Sequence, residues 1–171
     1  MEKYTTLLEV IKNSLNTLSH LLDKASEHVK EKGIDEEVVL HASIAPDMFN
    51  FSRQIQIATD DARRNLYLLA GKEHIKMEDN EKSIEELKAR VTKNLELISA
   101  LTEKDFEGAD ERKITLFWMK DKHVLGKDFV NEFAFSNFFF HIVTAYNILR
   151  KEGVTIGKMD FITKFSMRDN N

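Results

Sequence analysis

The chain has 171 residues, with 25 Lys and Arg against 29 Asp and Glu, a net charge of −4 and no cysteine. The absence of cysteine excludes disulfides, thiolate zinc sites and a cysteine nucleophile, so any thiol in its chemistry must come from a small-molecule cosubstrate. The mildly acidic balance argues against a nucleic-acid partner. No apolar run approaches the roughly 18 residues of a membrane span, and the start MEKYTTLLEV lacks the features of a signal peptide, so a cytoplasmic, non-membrane protein is expected.

The length predicts one domain over residues 1–171, and the single proline and six glycines suit long helices. Residues 4–30 read as the first helix. Leu8, Ile11, Leu15, Leu18, Leu22, Ala25 and Val29 recur at steps of three and four, which is a bundle-type seam. Gly33 sits where a left-handed residue closes a helix. His20, opposite the seam, and His28, beside it, read as solvated. Residues 34–46 are a connection whose apolar patch, Val38 to Leu40, is expected to pack across a bundle end.

Pro46 marks the expected start of the second helix, which runs to Ala70 and closes at Gly71. Its seam is Met48, Phe51, Ile55, Ala58, Ala62, Leu66 and Leu69. Gln54 and Asp61 each stand one residue before a seam position and share one edge, either as a partly buried flank or as part of a polar site. Residues 72–82 read as a polar loop with a solvated His74. Ser83 and Glu86 form a capping box that opens the third helix, expected to end near Glu103.

A charged loop spans 104–113. ITLFWM at 114–119 is the one β-like run, read as a short extended excursion or small hairpin over a bundle end, with Trp118 covering that end and His123 exposed. A short helix is expected at Lys127–Phe133. Ser136 is then the N-cap of the last long helix, Asn137–Glu152, which is apolar on nearly every face and ends at Gly153. Asp160–Phe165 should pack back as a short element, with SMRDNN a frayed tail. Burial of the last helix on several sides suggests that it also meets a second subunit, giving a homodimer.

Metal ligands on a helix must lie three or four residues apart to reach one ion, and no pair among the six histidines does. The Glu-x-x-His of di-iron bundles, HExxH, GxSxG and a Walker A loop are also missing. One histidine stands out. His141 lies in a run of apolar residues, FFFHIVTAY. It reads either as a core-edge histidine bonded to Gln54 or Asp61, or as a ligand or base in an interhelical pocket formed with those residues.

Two blocks, IAPDMFNFSRQIQIATDDA and FFFHIVTAYNILRKEGVTIGKMDF, resemble an uncharacterised bacterial family within the DinB/YfiT-like metalloenzyme superfamily. The resemblance implies an all-α, up-down-up-down-like four-helix bundle, often dimeric. In the wider superfamily a histidine of the second helix and an HxxxH pair on a late helix hold a divalent metal, and some relatives are thiol-dependent transferases. Here His141 matches the first histidine of that pair, but Ala145 stands at the second, and the second helix offers Gln54 and Asp61 instead of a histidine. Nickel or zinc is therefore not expected. The resulting expectation is a non-catalytic or small-ligand-binding dimer of unknown function with a degenerate metal site. The alternative is a thiol- or metal-dependent transferase centred on His141.

Overall fold

A computed structural model describes residues 2–169. Met1, Asn170 and Asn171, the ends of the expected domain and tail, lie outside the described residues. The elements are α1 (Glu2–Lys32), α2 (Glu36–Leu40), α3 (Phe51–Ala70), α4 (Ile84–Ser99), β1 (Lys113–Ile114), β2 (Val124–Leu125), α5 (Gly126–Phe129), α6 (Phe135–Lys151) and α7 (Lys158–Phe161). Among the described residues the fold is all-α apart from one two-stranded hairpin. The seams of α1, α3, α4 and α6 meet in one core, where Leu15, Leu18, Phe51, Ile55, Ala62, Leu66, Leu87, Val91, Ile142 and Leu149 are sealed from solvent.

The four long helices alternate in direction only in part. Successive α3 residues bond to successive α4 residues: Thr59 with Arg90, Arg63 with Asn94, and Tyr67 with the Leu97 carbonyl. Both positions advance together, so α3 and α4 run parallel. Against α6 the order reverses, because Gln54 meets His141 while Asp61 meets Asn137. α4 opposes α1, with Lys88 on Asp23 and the α1 start at Tyr4 stacked on Phe106 beyond the end of α4. The all-α four-helix bundle is as expected, and within it the up-down-up-down-like order is corrected to up, down, down, up.

Two parallel neighbours need a connection that travels back along their length. A 20-residue helix spans about 30 Å, and the dozen residues after α3 reach about 40 Å when extended. Residues 72–82, read from sequence as a solvated polar loop, make this crossing. Met77 Sδ accepts from Asn94, the Glu78 carbonyl and Glu81 accept from Arg90, and Glu81 also accepts from Gln56.

The local signals account for most boundaries. Ser83 accepts from the Glu86 N–H and opens α4 as predicted. Gly71 closes α3 at φ 66°, and its N–H and that of Lys72 satisfy the Leu68 and Tyr67 carbonyls. The start of α3 is corrected from Pro46 to Phe51. The Asn50 side chain accepts from the Arg53 N–H there, whereas Pro46 lies in the preceding turn. The patch at Val38–Leu40 forms the short α2, with Val39 and Leu40 buried and Val38 exposed.

The region before α6 differs most from expectation. β1 pairs antiparallel with β2, so the β-like run becomes a hairpin with most of ITLFWM in its connection. Trp118 lies 6.2 Å from the Phe133 ring but is half exposed. Ser136 is not an N-cap: helical backbone is continuous from Gly126 to Lys151, with a π-helical turn at Val130–Ala134 joining α5 to α6. Gly126 is required because a Cβ there would stand 1.9 Å from the Ala109 carbonyl oxygen. α6 is also less enclosed than its composition suggested, with Phe140 and Val143 exposed. The element expected at Asp160–Phe165 is corrected to α7 at Lys158–Phe161: Phe161 is edge-on to Tyr146 and Asp160 accepts from His20, whereas Phe165 is exposed.

Candidate functional site

α3 and α6 pack face to face and bring two of the three sequence candidates together. His141 Nδ1 lies 2.7 Å from Gln54 Oε1. The Gln54 amide is itself fixed, since its Nε2 donates to the Phe49 carbonyl at 3.0 Å. Oε1 therefore faces the imidazole as an acceptor, and Nδ1 must carry the proton. This leaves Nε2 as the nitrogen with a free lone pair. Among the described residues it has no hydrogen-bond partner, and it is not sealed from solvent.

The electrostatics reinforce that assignment. Burial, with a smaller effect from the Arg53 charge, pushes the His141 pKa down to about 4. At neutral pH the ring is an uncharged imidazole locked in one tautomer, with Phe140 edge-on at 5.2 Å. Such a ring can accept a hydrogen bond, take a proton or donate to a metal through Nε2. Phe49 and Arg53, which flank the pair, also line a cleft of about 570 Å³ with His41, Ser43, Pro46 and Asn50; His141 itself does not line it.

Asp61 does not join His141. It lies two turns along α3, fully buried, where its carboxylate accepts from Asn137 and Arg64. Burial outweighs these partners and pushes its pKa up to about 6. The candidate trio thus separates into a Gln54–His141 pair and an Asp61–Asn137–Arg64 cluster.

The residues present do not fit the divalent metal that the resemblance implies. His141 has Ala145 one turn on, buried and without a donor atom, and Gln54 turns its oxygen to the imidazole N–H. Among the described residues no three His, Asp or Glu side chains converge in a way that could hold an ion. One imidazole with neutral oxygen donors is a weak ligand set for nickel or zinc.

Three of the other histidines, His20, His28 and His74, are less solvated than their sequence readings, while His123 is exposed as expected. His28 is buried, 8% exposed, against the turn at Gly153, which corrects the expectation of a solvated ring. His20 is half-buried and bonds Asp160 at 2.9 Å. His74 is half-buried on the crossover and His123 is exposed.

Sequence reasoning missed a larger polar group between α3, α4 and the crossover. Arg63, Arg90, Asn94 and Thr59 are all at most 2% exposed. Arg90 donates to Thr59, Asp60, Glu81 and the Glu78 carbonyl. The edge rule that singles out Gln54 and Asp61 also marks Arg90 and Asn94, which stand one place before Val91 and Leu95, residues that pack in or against the core.

Residues 4–162 match a family described as a domain of unknown function, DUF1993. No curated protein matches the chain. Among solved structures, the chain is similar to a crystal structure of a DinB family member protein from Shewanella denitrificans, with 33% identity and a TM-score of 0.92 over 95% of this chain and 93% of that one.

Proposed function

Since the chain belongs to the DUF1993 family and has the DinB-like bundle, we propose that it is a non-catalytic protein that binds a small ligand as a homodimer, with the superfamily's metal triad lost. One observation carries this reading. The Phe49–Gln54–His141 relay holds a neutral imidazole with its Nε2 lone pair free, an arrangement suited to accepting a hydrogen bond from a hydroxyl or amide. The partner surface is the outer face of α6, where Val143 and Phe140, the latter edge-on to that ring, are exposed. A second copy of the chain covering this face would enclose the His141 edge and remove apolar area from water.

Nitrogen-15 NMR of the histidine side chains tests the site. The His141 ring should be the Nδ1–H tautomer at neutral pH and titrate near pH 4, and a small hydroxylated or amide-bearing fragment that binds should shift its Nε2 resonance. An Nε2–H ring would remove the basis of the proposal. Elemental analysis after dialysis tests the metal: one retained nickel or zinc per chain would overturn the loss of the triad. Sedimentation should give a dimer that V143E converts to monomer.

The second reading, a transferase using a small-molecule thiol, draws on the same lone pair as a hydrogen-bond acceptor for the thiol, with a ring titrating near pH 4 serving as a weak general base. It predicts that wild-type protein, but not H141Q, accelerates thiol addition to an electrophile.

A further inference from the structure

A second site lies on the opposite face of α3, where the crossover returns past the α3–α4 groove. A cavity of about 210 Å³ is lined by Asp60, Arg63, Arg64, His74, Lys76 and Met77. Three permanent cations and one carboxylate line it, and Arg64 is also paired with Asp61, which does not line the cavity. The lining carboxylate is already engaged, with Asp60 Oδ1 2.7 Å from Arg63 and 2.8 Å from Arg90. Lys76 and His74 make no side-chain hydrogen bond or ion pair among the described residues. Arg63 is 1% exposed, and its Nε, like that of Arg64, is enclosed without a partner.

From this we propose that the cavity binds a small phosphate-bearing anion, with Lys76, Arg64 and His74 at its mouth and the Arg63 guanidinium fixed beneath. Arg63 is held in place by Asn94 at 2.5 Å and by Asp60, so its charge is available without ordering a flexible side chain. With Asp60 on Arg63 and Asp61 on Arg64 both counted, the three cations still leave one positive charge at the mouth, that of Lys76. The His74 pKa is pushed down by burial and then by Arg63, Arg64 and Lys76, with Asp60 opposing. Glu73 does not line this cavity but shares a neighbouring hollow with His74, Ile75 and Lys76. A guanidinium and an ammonium converging on one small cavity suit a tetrahedral oxyanion. An arriving dianion reverses the field at His74, so binding should be accompanied by proton uptake on that ring. This site is independent of His141.

Titration of the full chain with inorganic phosphate, followed by calorimetry and by the His74 ring resonances, tests the proposal. Saturable one-to-one binding with a rise in the His74 pKa is expected, with glycerol phosphate competing and acetate ineffective at matched ionic strength. K76E, at an exposed position, should weaken binding by about tenfold or more and leave the melting temperature unchanged. H74Q should still bind phosphate but lose the proton uptake. Absence of saturation, equal binding by K76E, or equal competition by acetate would overturn the assignment.

Discussion

At the residue scale, the Gln54–His141 pair is the clearest case of position deciding chemistry. His141 was legible as a candidate because an imidazole among apolar neighbours must find a partner, and Gln54 was legible as the edge residue able to reach it. What the sequence could not supply was the role of Phe49, whose contribution is a backbone carbonyl and carries no side-chain signature. Removing the ring should strand the Gln54 oxygen, so H141A is expected to lose about 1–3 kcal/mol in urea denaturation. Q54E gives a second outcome. A carboxylate at Oε1 stabilises the imidazolium, so the His141 pKa should rise from about 4, as read from its ring resonances.

At the scale of elements, the crossover 72–82 explains why charged side chains are buried between α3 and α4. Arg90 satisfies both the returning backbone and the carboxylates of Asp60, Asp79 and Glu81, while Arg53 bonds Asp79. R90A would leave buried acceptors and carboxylates without their cation. A loss of about 3–5 kcal/mol is expected, with new proteolytic cleavage within 72–82. The helices themselves were readable from their seams and caps. The direction of α4 was not, because a polar run of this length is compatible with either a surface loop or an extended return, and only the Arg90 partners distinguish them. The same limit applies before α6, where Ser136 has the chemistry of an N-cap but lies within a helix already under way. G126A should cost about 1–3 kcal/mol by driving a methyl group into the Ala109 carbonyl.

At the scale of the whole molecule, two buried groups set opposing pH dependences over one window. Asp61 has a folded pKa near 6, raised from 3.8, so its contribution to stability is complete below the lower value and is lost as pH rises through the higher one. His141 has a folded pKa near 4, lowered from 6.5, so its contribution is complete above 6.5 and is lost as pH falls through 4. Each shift corresponds to about 3 kcal/mol, and between pH 4 and 6 the two nearly cancel. Relative to wild type, D61N should lose stability steeply on acidification across this window, and H141Q should gain it. Denaturant midpoints measured in half-unit pH steps would show both slopes, and parallel profiles for the three proteins would contradict the assignments.

The π-helical turn at Val130–Ala134 has a consequence of another kind. It carries one residue more than an α-helical turn would, so it acts as a phase shifter inside a single rod, setting the angle between the hairpin end and the His141 end. Deleting one residue there would let the α-helical ladder close and turn one end by about 100° against the other. With α6 anchored by its own core contacts, the hairpin would swing away while the Gln54–His141 bond held. A single-codon change could thus reshape one end of the bundle without disturbing the other.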